Sequence, residues 1–287
     1  GILDVGPLNL DIRKNITNNS SQVGAGSLLL FSTTAISNTI TSSNGSFTNL
    51  TLGGTATSKT IAVEGNATIQ GTLAFPASGS RLLYIASNQL TFDVAGTVTN
   101  ASSARYIKTN GVSSDLGVTK NWNTGTSSFT YHVGSSSFYT PVSYSLNVTT
   151  TGSLTVIPVN GPHPTYFQGT GQEILNYYWT VKRGSTLAAT ASASTTFSYP
   201  SSLLVCTSCT GTPVAAYLDA SAATLGWITS GHGGTANTTT MTFATTPTTN
   251  FPQAGNFYDY SVGTPVTLPN PIVPLYSRKG LAATVGN

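Results

Sequence analysis

Few residues of this chain carry the side chains that catalysis or metal binding requires. Of 287 residues, eight are Asp or Glu, three are His and two are Cys. His163 and His232 lie in Pro- and Gly-rich segments and are interpreted as exposed loop residues, and His132 lies in a strand-like stretch. No G-x-S-x-G elbow lies between a strand and a helix, and the acids show neither a pairing nor a D-x-D-x-D run. The sequence therefore predicts no catalytic residue, no metal site and no cofactor.

Cys206 and Cys209 form the one C-x-x-C spacing, in the segment LLVCTSCTGT. In a thioredoxin-like protein this spacing opens a helix and performs redox chemistry. Here the pair follows a strand-like run and precedes Gly211, with no helix to lower a thiolate pKa. We interpret it first as a small disulfide that closes a loop, with a reduced pair and half of a metal site as the alternatives.

Two aromatic segments could bind sugars, because glycans stack on exposed rings beside polar side chains. The candidate stacking residues are Tyr177, Tyr178 and Trp179 in NYYWT, and Tyr258 and Tyr260 in NFYDY. Strand alternation turns Tyr177 and Trp179 to one face and Tyr178 to the other. The alternative is that all five rings fill a core and form cross-strand pairs.

The elements that carry these residues are predicted to be strands throughout. Thr, Val, Ile, Tyr and Phe are frequent, Lys, Glu, Arg and Met are scarce, and no long stretch has a helical period. Across residues 1–104, short alternating strands return roughly every 20 residues, with Asn18, Asn44, Asn66, Asn88 and Asn100 near the turns. This pattern predicts a β-solenoid-like segment of stacked short strands, with an ordinary meander of hairpins as the alternative.

Beyond residue 104 the strands become longer and richer in aromatic residues. About eleven strand-like runs separated by turn signals predict an antiparallel Ig-like β-sandwich over residues 105–263. Trp122, Trp179 and Trp227 are expected in its core. The Pro-rich residues 264–287 are predicted to form a linker toward a next module.

The charge pattern and the lack of long apolar runs argue against two kinds of partner, nucleic acid and a membrane that the chain would span. Lys and Arg total 11 against eight acids, a net charge of +3, and the basic residues occur as isolated doublets. Nucleic acid is therefore not an expected partner, since its binding needs a basic patch or stripe. No apolar run is long enough to span a membrane, and no signal-peptide pattern begins the chain, so any export signal is expected to be removed or to lie elsewhere.

Several segments resemble the repeat modules of very large Bacteroidota cell-surface proteins exported by the type IX system. RYIKTNG followed by SFTYHVGSSSFYTPVSYS is similar to the Tyr-Val strand, turn and Y-x-P-V of that family, with His132 where the family often has Pro. YYWTVKRG, STTFSYP and GNFYDYSVG resemble its later strands, and PLYSRKGLAATVGN resembles the opening of a next module. The resemblance covers roughly residues 105–280 and implies an adhesin, a gliding-motility filament or a matrix component.

Composition and resemblance together predict a non-enzymatic structural or adhesive module of a secreted, repetitive surface protein. The expected location is extracellular, and the expected partners are neighbouring modules of the same chain or identical subunits. A first alternative is a self-assembling filament subunit in which a terminal segment, such as residues 2–12 or 266–276, adds a strand to its neighbour. A second is a glycan-binding module, with surface polysaccharide as its partner.

Overall fold

The chain folds as an all-β protein in which a β-solenoid-like stack of short strands runs into long antiparallel strands. The computed structural model describes residues 3–4, 6–12, 15–30, 38–53, 58–135, 138–165, 173–205, 212–219, 226–229, 234–244, 251–265 and 267–268. Within these ranges there is no α-helix, and the one helical element is a 3₁₀ turn, Ser201–Leu203. The predicted all-β class is confirmed.

Thirty strands are described. The strands up to residue 135 are β1 Leu3–Asp4, β2 Leu10–Ile12, β3 Ile16–Thr17, β4 Gln22–Val23, β5 Leu28–Leu30, β6 Asn38–Thr41, β7 Gly45–Phe47, β8 Leu50–Thr51, β9 Ser58–Glu64, β10 Ala67–Ile69, β11 Thr72–Ala74, β12 Ser80–Ala86, β13 Gln89–Phe92, β14 Thr97–Thr99, β15 Arg105–Thr109, β16 Gly117–Trp122, β17 Gly125–Tyr131 and β18 Val133–Ser135. The strands that follow are β19 Phe138–Tyr139, β20 Val142–Thr150, β21 Gly152–Asn160, β22 Ile174–Leu175, β23 Tyr177–Arg183, β24 Ala188–Ser198, β25 Leu204–Val205, β26 Val214–Asp219, β27 Trp227–Ile228, β28 Gly234–Ala236, β29 Thr240–Ala244 and β30 Phe257–Gly263.

Successive triplets of strands form five stacked coils, β1–β3, β4–β6, β7–β9, β10–β12 and β13–β15. Equivalent strands of neighbouring coils pair in parallel, and partner residues lie about one coil apart, as in Leu28 with Leu50 and Leu73 with Val98. The result is three long sheets and one short one: sheet I (β2, β5, β8, β11, β14), sheet II (β3, β6, β9, β12, β15, β18, with β19), sheet III, which contains β7, β10, β13 and β16, and a separate two-stranded sheet of β1 and β4. The predicted solenoid-like arrangement is confirmed.

Asparagine and glycine allow the coils to approach each other closely. Asn44 and Asn100 both have φ of 59°, the left-handed conformation that Asn tolerates better than other side chains. A Cβ atom on Gly65, whose φ is +89°, would lie 1.8 Å from the carbonyl oxygen of Ser42 on the preceding coil. A Cβ on Gly45 would lie 2.0 Å from the carbonyl oxygen of Asn18. These positions need glycine because the backbone of the next coil occupies the space of a side chain.

Sheet III joins the coils to the C-terminal strands by hydrogen bonds. β16 pairs in parallel with β13 on one side and antiparallel with β21 on the other. Beyond β21 the sheet continues through β23 and β30 to β22, β25 and β26, all antiparallel. The parallel pairing also continues past residue 104, since β15 pairs with β12. The division at residues 104 and 105 stays a prediction.

A second antiparallel sheet, sheet IV, consists of β17, β20, β24, β29 and β28 and faces the C-terminal half of sheet III. Rings from the two sheets meet between them, with Phe197 of sheet IV 5.1 Å from Trp179 and 4.7 Å from Tyr260 of sheet III between ring centroids. The apolar core is continuous from the coils into this layer. Of the predicted linker, Thr264, Thr267 and Leu268 are buried, and residues 266 and 269–287 lie outside the described residues.

Candidate functional site

The five aromatic residues predicted to stack on sugars are all buried. Their exposed fractions are 0% for Tyr177 and Trp179, 1% for Tyr260, 3% for Tyr258 and 8% for Tyr178. A sugar ring stacks on an accessible aromatic face, and none of these rings offers one. The stacking interpretation is corrected on this point, and the alternative interpretation, core and cross-strand pairs, describes where the rings lie.

The expected alternation along β23 explains why both faces of the strand are covered. Tyr177 and Trp179 belong to the core cluster between sheets III and IV, whereas Tyr178 packs with Ile157 and Val159 on the opposite face. The indole N–H of Trp179 donates to the carbonyl oxygen of Thr140 at 3.1 Å. Each ring on the inner face therefore has packing partners, and the indole has a hydrogen-bond acceptor as well.

A His–Asp pair lies on the outer face of sheet III, beside Tyr178. His163 is 5% exposed, and its Nε2 lies 3.2 Å from Oδ2 of Asp259 on β30. The prediction that His163 is an exposed loop residue is therefore wrong. Its ring contacts Tyr178 and Trp227 edge-on, with centroids 4.6 and 4.9 Å away. The prediction failed because Asp259 and Trp227, which cover the ring, are remote in sequence.

Hydrogen bonds fix the imidazole of His163 in one orientation. The backbone N–H of Thr165 donates to Nδ1 at 3.2 Å, so Nδ1 acts as an acceptor and Nε2 donates to Asp259. Thr165 Oγ1 lies 2.7 Å from Nδ1 and accepts the indole N–H of Trp227 at 2.9 Å. Thr180 donates to the other oxygen of Asp259. Burial, followed by the charge of Asp259, raises the pKa of Tyr178.

This cluster has the order hydroxyl, imidazole, carboxylate that nucleophilic catalysis uses. Its hydroxyl, however, comes from Thr165 in the same turn as His163, and the bonds among these groups close that turn onto the sheet. The arrangement attaches residues 161–165 to β23 and β30 in the way a buried polar network holds a loop. We therefore assign the His163–Asp259 pair a structural role.

A buried lysine, Lys120, lies at the junction between the coils and sheet IV. Lys120 on β16 is 6% exposed, and its Nζ donates to the carbonyl oxygens of Asp93, Val94 and Gly96 at 2.6, 2.8 and 2.8 Å. The ammonium also lies 5.1 Å from the ring centroid of Phe129. Burial lowers the pKa of Lys120 to about 8, against the opposing effect of Asp93. Lys120 thus satisfies three carbonyls in the turn between β13 and β14.

Sequence reasoning missed Lys120, although the strand pattern contained a signal. Val118, Lys120 and Trp122 alternate along GVTKNW, so a strand that buries Val118 and Trp122 must also bury the lysine. The pattern does not identify the hydrogen-bond acceptors of the lysine. The three carbonyls lie 24 to 27 residues earlier, one coil away, and are known only once the register is known.

Three clefts border this junction, and they share lining residues. One of about 240 Å³ lies between β14 and β17, and one of about 180 Å³ lies beside Lys120 and Phe129. The third, of about 380 Å³, has a mixed lining that includes Trp122 and the side chains of Asp93 and Asn121, which are 3.3 Å apart. Open space of this kind therefore borders the junction on several sides.

The remaining site predictions fall partly outside the described residues. Cys206, Cys209 and His232 all lie there, so the disulfide interpretation stays a prediction. Within the described ranges, no group of three or more His, Cys, Asp or Glu is placed to hold a metal ion. The same ranges contain no helix with the length and apolar character needed to cross a membrane.

Comparison with known proteins gives no relative from which a function could be transferred. No family model, no curated protein and no solved structure matches the chain.

Proposed function

We propose that this chain is a non-enzymatic structural and adhesive module of a secreted, repetitive bacterial cell-surface protein. The observation that carries the proposal is the unbroken hydrogen-bonded path of sheet III. It leads from β7 in the third coil through β16 to β21, β23 and β30. A pulling force applied to the coils is transmitted to the C-terminal strands through ladder hydrogen bonds, without an intervening flexible linker.

Side chains reinforce the stack between the ladders. Asn49 accepts from the backbone N–H of Thr72 and donates to the carbonyl oxygen of Ala25, so one side chain bonds the coils before and after its own. Asn66 accepts from the N–H of Gln89 in the same way, and Asn88 donates to the carbonyl oxygen of Val63. With so few charges, the stability of such a stack depends little on salt.

For the C-terminal part we propose an Ig-like β-sandwich. Its support is the pair of antiparallel sheets, III and IV, with Trp179, Phe197 and Tyr260 between them. A module of this kind, repeated along a longer chain, gives adhesion by many weak contacts acting together. Its partners are then neighbouring modules or identical subunits, and its location is the cell surface.

Of the alternatives, the self-assembling filament subunit stays a prediction. The glycan-binding module loses the five aromatic rings on which it was based, since all of them are buried.

Immunogold electron microscopy of the cells that make the protein tests the proposal. Antibodies against this chain are expected to label fibres or a layer outside intact cells, with an unrelated cytoplasmic protein of the same cells as the negative control. Labelling only inside the cells would contradict the surface location. A turnover activity lost in a folded His163→Ala variant would contradict the non-enzymatic assignment.

A further inference from the structure

A buried lysine and a buried asparagine from neighbouring coils meet on the inner face of sheet II. Lys59 on β9 is 6% exposed, Asn38 on β6 is 1% exposed, and Nζ of the lysine donates to Oδ1 of the asparagine. β6 and β9 pair in parallel with Asn38 beside Ile61, and Lys59 lies two residues before Ile61, on the same face of its strand. The lysine side chain therefore reaches from the third coil to the carboxamide of the second.

The surroundings of Lys59 disfavour its charged form. Arg81 on β12 is the partner of Lys59 in the next coil and is itself only 1% exposed. Burial lowers the pKa of Lys59, and the charge of Arg81 lowers it further. Among the described residues no carboxylate contacts Lys59, and the carboxamide of Asn38 is neutral. A buried ammonium without an opposite charge is costly, so this site favours the neutral amine.

A neutral amine held against a carboxamide is a nucleophile beside an electrophilic carbon. Lysine acts as a nucleophile when it is desolvated or lies next to another cation, and Lys59 meets both conditions. The fold also supplies proximity, since pairing of β6 with β9 holds the two groups together.

The reaction between the two groups is balanced without an oxidant, a reductant or a cofactor. Nζ of Lys59 forms a bond to Cγ of Asn38, and the bond from Cγ to Nδ2 breaks. The proton that Nζ loses leaves with Nδ2 as ammonia. The product is an uncharged secondary amide, so the reaction also removes the ammonium whose burial is costly.

We propose that Lys59 and Asn38 form a covalent amide cross-link between β9 and β6, with release of ammonia. The bond joins the second and third coils and closes residues 38–59 into a covalent loop that contains β7 and β8. A force applied to the two ends of the chain cannot extend this loop, because the load passes through the new bond.

The intact mass of the full chain tests the cross-link, measured on reduced and denatured protein so that Cys206 and Cys209 do not affect it. Wild type is expected to be lighter than its sequence by the mass of one ammonia. Lys59→Arg keeps the positive charge but lacks the amine, and it is expected to have its full sequence mass. Lys108→Arg makes the same substitution at a partly exposed position of β15 and is the matched control, expected to keep the loss.

Proteolysis locates the bond. Lys59 is the only Lys or Arg between residues 15 and 80, and trypsin does not cleave after an acylated lysine. The cross-linked chain is therefore expected to give a fragment 15–81 in place of fragments 15–59 and 60–81. Chymotrypsin cleaves after Phe47, inside the loop, and the two resulting pieces are expected to stay joined.

A wild-type chain with its full sequence mass would overturn the inference, whether or not the variants fold. A loss of ammonia that persists in Lys59→Arg would overturn it too, since an Asn-Gly sequence such as Asn44-Gly45 can lose ammonia by cyclising onto its own backbone. The mass of the chain does not depend on where the protein is located, so neither result bears on the surface role proposed above.

Discussion

Asn49 Oδ1 lies 2.9 Å from the backbone nitrogen of Thr72, one coil further along the chain, and accepts its hydrogen bond. Asn49 Nδ2 donates at 3.1 Å to the carbonyl oxygen of Ala25, one coil earlier. A single amide therefore connects three successive coils at a corner where no strand ladder is present. Cohesion between coils in this molecule comes from neutral amides as well as from the sheets.

Asn49→Ala is expected to lower the free energy of unfolding by about 1 kcal/mol, because it removes two hydrogen bonds between coils at a partly exposed corner, where water solvates the groups left behind. Asn123→Ala, at an exposed position, is the matched control and is expected to change it by about 0.5 kcal/mol or less. Equilibrium denaturation in urea measures both. Equal effects for the two variants would show that the bridge adds nothing to stability.

Lys120→Met is expected to cost about 3 kcal/mol, since the methionine fills the volume but leaves the carbonyls of Asp93, Val94 and Gly96 without their donor. Lys182→Met removes the same charge from an exposed position of β23 and is the control. Comparing the thermal stability of the two variants separates the effect of losing the buried hydrogen bonds from the effect of losing one positive charge. A Lys120→Met protein as stable as the control would contradict the role assigned to the lysine.

His132 is expected to make the stability of the fold depend on pH in the acidic range. Burial lowers the pKa of His132 to about 4, and its Nδ1 lies 2.6 Å from the hydroxyl of Tyr139. Between pH 6.5 and 4 the unfolded chain binds a proton that the folded chain does not, so stability is complete above pH 6.5 and decreases as the pH falls through this window.

Urea denaturation at a series of pH values measures this dependence. His132→Gln removes the titrating group, and its stability is expected to vary less over the same window than that of the wild type. Identical pH profiles for the two proteins would assign the acid dependence to other groups.

Phe197→Ala is expected to destabilise the chain by about 3–5 kcal/mol, because Phe197 is fully buried between Trp179 and Tyr260 and joins the two facing sheets. Phe257→Ala is the control, since Phe257 is 41% exposed, and is expected to cost about 1 kcal/mol or less. Chemical denaturation followed by tryptophan fluorescence reports both. If the two variants lost similar amounts of unfolding free energy, the aromatic rings between the sheets would not be what holds the sheets together.

Local pattern predicted much of this fold, because the strand period and the repeat spacing are properties of neighbouring residues. One example is the alternation along β23, which places Tyr177 and Trp179 on one face and Tyr178 on the other. A second is the position of Asn44 and Asn100 in turns, where both have a φ of 59°. The Ig-like sandwich, the boundary at residue 105 and the cysteine pair stay predictions.

Contacts between distant segments could not be predicted in the same way. Asp259 lies 96 residues from His163, and only the fold shows that they meet. The burial of Tyr178 likewise depends on the turn that carries His163, which packs over it. The aromatic residues predicted to bind sugars, and His163, are therefore buried by elements whose positions in the fold the sequence pattern does not predict.

Single-molecule pulling of the isolated chain from its two ends tests the structural role most directly. Continuous pairing from the coils through β16 and β21 predicts a distinct rupture peak at high force, and the Asn49→Ala variant should rupture at lower force. Featureless extension at the low force of an unstructured chain, with no effect of the variant, would contradict the account.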